Sequence, residues 1–338
     1  MELEYIVDAA FVPVAEAVRA GRVPGAVLGV ATRDGMSAIR LAGSAQREPA
    51  EIVLARGTWF DLASLTKVIF TTTAILRLAG EGRFDLDDPL TRVLPDLRQY
   101  DCAAAERQLT FRQCLSHRSF LPAVEPLYTG GQDPRTLRAH VLQRVWDRGP
   151  PVYSDINFIL LGIAIERLTS REIRDHEVGP GLGFRPDPSL CAATERCTWR
   201  GRVLRGEVHD ENAFALGGAA GHAGLFGTID GVLGFAHALL EGALLPADML
   251  ARLREPQSPT RALGWEIRHD GWAGGAACSA DTIGHTGFTG TGVWIDWRRG
   301  LAWALLTNRV HPSRHVETGI QALRRASGEL VIRGFDAQ

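Results

Sequence analysis

The chain has 338 residues, 45% of them hydrophobic and 22% charged, which suits a folded soluble protein with a large core in one big domain or two intimate ones. A formal net charge of −2 gives no reason to expect nucleic acid or an anionic membrane as partner, and no apolar run reaches membrane-spanning length. Five cysteines, an odd count without a Cys-x-x-Cys pair, suggest neither a disulfide framework nor a zinc site. The acidic start Met1-Glu2-Leu3-Glu4-Tyr5 lacks the basic flank of a secretory signal, so the cytoplasm is the expected location.

Residues 3–20 read as an amphipathic helix, with Ile6, Val7, Ala10, Val14 and Val18 on its apolar face and Gly21 and Pro24-Gly25 as its stop. Ala26 to Ala31 reads as a buried strand, Arg33-Asp34-Gly35 as a hairpin turn and Met36 to Ala42 as the returning strand. A charged loop leads to the next helix, whose mouth is Ser64. Leu65, Val68, Ile69, Leu76 and Ala79 recur near the 3.6-residue period, and positions i and i+3 share a helix face, so Ser64 and Lys67 can meet. A serine hydroxyl is a poor nucleophile until a neighbouring base takes its proton. A lysine can be that base where burial disfavours its ammonium. Lys67 is the single lysine in a chain with 36 arginines, and arginine cannot give up its proton. The competing interpretation is that Ser64 only caps the helix.

From 68 to 225 the pattern predicts helices and loops with no convincing strand pair. Short helices are expected at 109–115 and from Pro134 to Trp146, and a longer one follows Tyr153-Ser154-Asp155, marked by Ile156, Ile159, Leu160, Ile163 and Leu168. Residues 179–200, rich in Pro and Gly, read as irregular. Strands return at Leu263–Ile267, Thr282–His285, Gly292–Asp296 and Leu301–Leu306, with a hairpin connection at Trp297-Arg298-Arg299-Gly300. His315 to Ala326 closes the chain as a helix. The expected fold is α/β of the α+β kind: a mainly antiparallel sheet built from both chain ends, residues 1–67 and 226–338, flanked by helices, with a mostly helical region 68–225 between. Such a design leaves a cleft between sheet and helices.

Three stretches in order, Ser64-Leu65-Thr66-Lys67, Tyr153-Ser154-Asp155 and His285-Thr286-Gly287, resemble the motifs of the serine β-lactamase and penicillin-binding-protein superfamily. The likeness is greatest to the branch with class C β-lactamases, D-alanyl-D-alanine carboxypeptidases and β-lactamase-like esterases, and it spans about residues 10 to 325. The segments 206–213 and 221–226 are also similar to that family. The resemblance implies a serine hydrolase that works through an acyl-enzyme on an ester, amide or peptide-like small molecule, without cofactor or metal. It implies Ser64 as nucleophile, Lys67 as partner for its proton, and Tyr153 as general base and then acid. An ordinary tyrosine titrates near about 10, so Tyr153 needs adjacent positive charge. The backbone N–H groups of Ser64 and Phe288 would form the oxyanion hole, with Asp155, Thr286 and Gly287 contacting substrate and His285 completing the site.

Two departures from the family pattern bear on the substrate. Asp155 stands where the family has asparagine, and an ionised carboxylate cannot donate to a substrate carbonyl. His285 stands where class C enzymes have lysine, which weakens a preference for a substrate carboxylate at neutral pH. Both favour an esterase, amidase or peptidase over the alternatives of a true β-lactamase or D-alanyl-D-alanine carboxypeptidase. A non-catalytic binding or sensor protein on the same scaffold is the remaining alternative. His209, Asp210, Glu211 and His222 are expected to form a turn network near the cleft in preference to a metal site. His117 is expected to serve a helix C-terminus. Trp294, Trp297 and Trp303 are expected to pack in the core or at its rim.

Overall fold

The computed structural model describes residues 2–131 and 133–338. Helix α1 (Glu2–Arg19) leads into strands β1 (Gly25–Thr32), β2 (Ser37–Gln46), β3 (Ile52–Val53) and β4 (Phe60–Asp61). Helix α2 follows, with a π-helical opening at Lys67–Thr72 and an α-helical remainder at Thr73–Gly80. The middle of the chain holds α3 (Phe111–Leu115), α4 (Pro134–Gln143), α5 (Asp155–Thr169), β5 (Leu182–Gly183), β6 (Ala193–Cys197), β7 (Arg202–Arg205) and α6 (Glu211–Ala215). The last part comprises β8 (Phe226–Gly227), α7 (Ile229–Leu240), α8 (Ala247–Arg254), β9 (Glu266–Ile267), β10 (Ile283–Thr286), β11 (Gly292–Asp296), β12 (Leu301–Thr307) and α9 (Ile320–Asp336). No described helix is long and apolar enough to cross a membrane.

A seven-stranded sheet in the order β3-β2-β1-β12-β11-β10-β9 joins the two ends of the chain. Its central pairing is antiparallel, with Ala26 opposite Thr307 and Thr32 opposite Leu301. Strand β1 is buried along its whole length because helices cover both faces, so a continuous apolar run replaces simple alternation. The period-2 geometry sorts the side chains. Ala26, Leu28, Val30, Trp294, Trp303 and Leu305 pack against α1 and α9, whereas Val27, Ala31, Val293, Ile295, Ala304 and Leu306 join the larger core beneath α7. Trp294 and Trp303 stack across the sheet with ring centroids 5.8 Å apart, in the predicted core role.

The middle region departs from expectation in one respect. Ala193–Cys197 and Arg202–Arg205 form a two-stranded ribbon, and β4, β8 and β5 form a small three-stranded sheet. The ribbon has a register shift between Ala193 and Arg196, and its charged, short strands lack the β-branched alternation that sequence patterns detect. The closing helix also begins and ends later than expected. Gly319 sits at its N-cap with φ 69°, and the helix runs on through Gly328, where a Cβ would lie 2.2 Å from the Gly274 carbonyl oxygen. Glycine is kept there for close approach of backbone, despite its helix cost of about 1 kcal/mol.

Helix α5 is buried on every side between Ile156 and Ile165, the mark of a central helix. It packs directly against the 220–223 loop through two glycines. A Cβ at Gly221 would stand 2.0 Å from the Phe158 carbonyl oxygen and 2.9 Å from Gly162 Cα. Gly221→Ala is therefore expected to lower the unfolding free energy by about 1–3 kcal/mol, the usual cost of overpacking. Urea unfolding monitored by circular dichroism checks this, and an unchanged midpoint would mean that the loop can move away without cost.

Candidate active site

A cleft of about 660 Å³ is lined by Ser64, Tyr153, Asp155, His285, Thr286, Gly287 and Phe288 among others. Lys67 lies fully buried just beneath. The structure thus brings Ser64, Lys67, Tyr153, Asp155, His285, Thr286 and Gly287 together. Ser64 occupies the turn ahead of α2, not its first helical residue, and the following stretch is π-helical from Lys67. Lys67 nevertheless reaches Ser64, its Nζ donating to Ser64 Oγ at 2.9 Å. π-Helical turns of this kind occur often at functional positions. Ala63, next to the serine, has φ 48°, a left-handed conformation that a non-glycine residue adopts only under local constraint.

That constraint is visible. The buried Asp61 carboxylate accepts from the N–H of Ala63 at 2.8 Å and from the N–H of His209 at 2.6 Å. Thr289 Oγ1 donates to the Asp61 carbonyl at 2.6 Å, and Thr291 Oγ1 to the Leu62 carbonyl at 3.1 Å. Two threonines after β10 therefore clasp the backbone of the serine turn. A Cβ on Gly287 would meet Leu62 O at 2.5 Å, so glycine permits strand and turn to touch. Among the described residues, the N–H groups of Ser64 and Phe288 donate to no protein acceptor.

Lys67 has two further contacts. Its Nζ donates to the His222 carbonyl at 3.0 Å and lies 2.8 Å from Asp155 Oδ1 as an ion pair. Burial acts to lower its pKa, as the sequence suggests, but the Asp155 carboxylate and the Tyr153 phenol oppose it and the net shift is upward. The ammonium is the resting form, so the expectation of a lysine deprotonated by burial is replaced by a charged lysine held by Asp155. Asp155, Asp210 and His222 offer ligand atoms within 4.8 Å of one another. The positive charge beside them is the Lys67 ammonium. Asp210 caps α6 through the Ala213 N–H and lies 2.9 Å from His222 Nε2, while His209 lies 3.0 Å from Glu195. The Asp210 contacts tie the two ends of the 209–222 segment together, whereas His209 pairs with Glu195 outside it.

His285 is 3% exposed. Its Nδ1 lies 3.0 Å from the Thr286 carbonyl oxygen, which requires a proton on Nδ1 and leaves Nε2 bare. Burial, with Arg261 and Lys67 nearby, holds its pKa well below the ordinary histidine range, so the ring is neutral. His117 differs from expectation. Its Nδ1 accepts from the Ser154 N–H at 3.0 Å, and its ring packs on Tyr153 with centroids 4.4 Å apart. It supports the tyrosine and not a helix end. Arg261 was not legible as a site residue, yet its guanidinium lies over the other side of the site, 5.2 Å from the Tyr153 ring centroid. Lys67 Nζ is 5.1 Å from the same centroid. Arg261 comes from a loop whose sequence carries no periodic signal, and only its proximity in space marks it.

A family model described as Beta-lactamase matches residues 13–327. The chain is 31% identical over 347 aligned positions to an N-acetylmuramyl-L-alanine amidase of Bacillus subtilis (strain 168), covering 85% of this chain and 78% of the relative. Its fold is similar to that of EstCE1, described as a hydrolase with promiscuous acyltransferase activity, with a TM-score of 0.74, 20% identity, and coverage of 97% of this chain and 99% of that one. It is similar also to a class C beta lactamase from Rhodobacter sphaeroides, with a TM-score of 0.72, 18% identity, and coverage of 97% and 98%.

The neutral, buried state of His117 and His285 has a consequence for stability. Both have folded pKa values below about 6.5, the value of an unfolded histidine. Below that pH the unfolded chain binds protons that the folded one does not, so stability falls as pH drops through 6.5 and these two residues add no slope above it. Denaturation midpoints between pH 5 and 8 measure this, and His285→Asn is expected to flatten the acid side. An equal slope in that variant would mean that His285 titrates normally.

Proposed function

We propose that this chain, which belongs to the β-lactamase family and is a serine hydrolase, forms its acyl-enzyme on Ser64. The observation that carries the assignment is the 2.9 Å contact of Ser64 Oγ with the buried Lys67 ammonium, opposite two unused backbone N–H donors. The cleft lies where the sheet portion, 1–67 and 226–338, meets the helical portion, 68–225.

In this mechanism Tyr153 is the proton shuttle. Lys67 Nζ and the Arg261 guanidinium lie 5.1 and 5.2 Å from its ring centroid. Tyr153 Oη relays the Ser64 Oγ proton while Oγ attacks the substrate carbonyl carbon. The N–H groups of Ser64 and Phe288 hold the oxyanion, each such donor contributing about 2.7–4 kcal/mol to transition-state stabilisation. Tyr153 then gives its proton to the departing oxygen or nitrogen. Water attacks the acyl-enzyme by the reverse proton path, releasing acid and free Ser64. Lys67 stays charged throughout, fixing Ser64 Oγ. Thr286 and Gly287 border the reacting group along the strand, and His285 is a neutral hydrogen-bond partner on the leaving-group side.

An ester, amide or peptide-like substrate suits the site. The amidase name of the Bacillus subtilis relative supports an amide. Asp155 is engaged with Lys67 and can only accept hydrogen bonds when ionised, so it does not offer the amide donor that a β-lactam side chain would meet at an asparagine.

Two measurements test this function. Intact-mass analysis after a fluorophosphonate should show one adduct on the wild type and none on Ser64→Ala; an adduct on both would remove Ser64 as nucleophile. Nitrocefin turnover should fall below that of short-chain p-nitrophenyl esters, and the double variant Asp155→Asn, His285→Lys should raise nitrocefin acylation by about tenfold or more, the scale of a charged hydrogen bond. A wild-type lactamase rate above the ester rate would overturn the substrate assignment.

A further inference from the structure

The charges around the cleft are not evenly matched. Asp155 is paired with Lys67 at 2.8 Å, Asp210 with His222 at 2.9 Å, and Glu266 with His269 at 2.7 Å. Glu195 and Glu211 share Arg314 at 2.6 and 2.5 Å. Each of these carboxylates already has a partner. Arg309 does not have one: among the described residues no carboxylate lies within ion-pair distance of it. Of the other cleft arginines without a carboxylate partner, Arg324 and Arg325 donate to backbone carbonyls and Arg261 lies over the Tyr153 ring. Arg309 Nε donates to the Phe288 carbonyl at 2.8 Å, and its guanidinium lies over the Phe288 ring, 4.7 Å from the centroid. The nearest acidic influence is Glu317, which accepts from the Gly319 N–H. Burial pushes the Arg309 pKa down, as expected of a half-buried cation short of compensating contacts. Phe288 itself is 49% exposed on the cleft wall.

The place of this corner relative to the chemistry can be deduced. A leaving group must lie toward the residue that protonates it. Tyr153 stands near His285, their rings 5.8 Å apart, at the start of the segment that runs from His285 to Phe288. Ser64 lies on the turn that packs against the middle of that segment, where a Gly287 Cβ would stand 2.5 Å from Leu62 O and 3.4 Å from Ala63 Cβ, and it lines the same cleft as Gly287 and Phe288. The acyl substituent must leave the carbonyl on the side away from Tyr153, which is the side of Phe288 and Arg309. We infer that Phe288 and Arg309 form an acyl-side subsite for an anionic group, so that the enzyme prefers acyl donors whose acyl chain ends in a carboxylate. The aromatic ring carries the methylenes of such a chain, and the guanidinium takes its end. This inference rests on the serine-hydrolase mechanism above.

The test compares two esters with the same leaving group, the p-nitrophenyl half-ester of glutaric acid and p-nitrophenyl valerate, so that only the acyl end differs. The wild type should favour the glutarate by about tenfold or more in kcat/KM, the scale of one charge-assisted contact, and added salt should reduce the ratio. Arg309→Gln should abolish the preference, and Arg309→Glu should shift it toward p-nitrophenyl 5-aminovalerate. A ratio is read because Arg309 also holds the Phe288 carbonyl, so that loss of oxyanion geometry would slow both esters together. A wild type without preference, or a preference unchanged in Arg309→Gln, overturns the inference. Calorimetric titration with monomethyl glutarate reports the subsite without turnover: binding weakened by Arg309→Gln supports it even if neither ester is cleaved, which would count against the mechanism alone, and equal binding by both proteins refutes it.

Discussion

A fully buried ammonium cannot be left to itself. Its desolvation costs several kcal/mol even after the protein relaxes, so Lys67 must find its compensation inside the fold, and it does so from three separate segments. The serine turn offers Ser64 Oγ, the start of α5 offers Asp155, and the 220–223 loop offers the His222 carbonyl. The π-helical opening of α2 belongs to the same arrangement. Thr72 Oγ1 donates to the Lys67 carbonyl at 2.7 Å and Thr73 Oγ1 to the Val68 carbonyl at 3.2 Å, while Thr71 Oγ1 reaches the Gly221 carbonyl at 2.6 Å. A run of threonines thus satisfies backbone acceptors that a regular α-helix would have used. The one buried charge sits where the π-helical stretch, the 220–223 loop and Asp155 meet.

The same logic extends to the other half of the site. The serine turn is strained at Ala63 and is held by Asp61, Thr289 and Thr291. Burial raises the Asp61 pKa although two backbone N–H groups oppose the shift, which shows how completely this clasp is removed from water. Arg324, also buried, borders the cleft and donates to the carbonyls of Gly287 and Thr291 at 2.8 and 2.7 Å. Burial pushes it down to about 9, and a guanidinium retains its charge at neutral pH in any case. The donors that face the cleft are therefore backed by a fixed positive charge and by rigid hydrogen bonds, the preorganisation that oxyanion stabilisation depends on.

Much of this was legible in the sequence, for physical reasons that can be named. The solitary Lys67 three residues after Ser64 stood out because 36 arginines had filled the other cationic positions. The sheet strands were readable as apolar runs broken by glycine and charge, and the joining of the two chain ends followed from their distribution. What the sequence did not disclose arises from contacts between segments far apart. Asp155 was visible as a departure from a motif, but its effect on Lys67 depends on a 2.8 Å distance. His117, from the central region, and Arg261, from the C-terminal portion, both contact Tyr153. The β6–β7 ribbon escaped because a charged strand such as Ala193–Cys197 has no alternation to detect.

The pairing of β1 with β12 also bears on how the enzyme comes into being. Ala26 and Leu28 wait for Thr307 and Leu305, so nearly the whole intervening chain must emerge from the ribosome before the first hairpin gains its central neighbour. Contacts of such long sequence separation are slow to form, and until they form the apolar edge of β1 is open to wrong partners. The strand that carries His285 lies farther out on the same late-built side, linked to β12 through β11. A nascent chain therefore cannot assemble the cleft before β10, β11 and β12 have been made, so the site is among the last features of the fold to form.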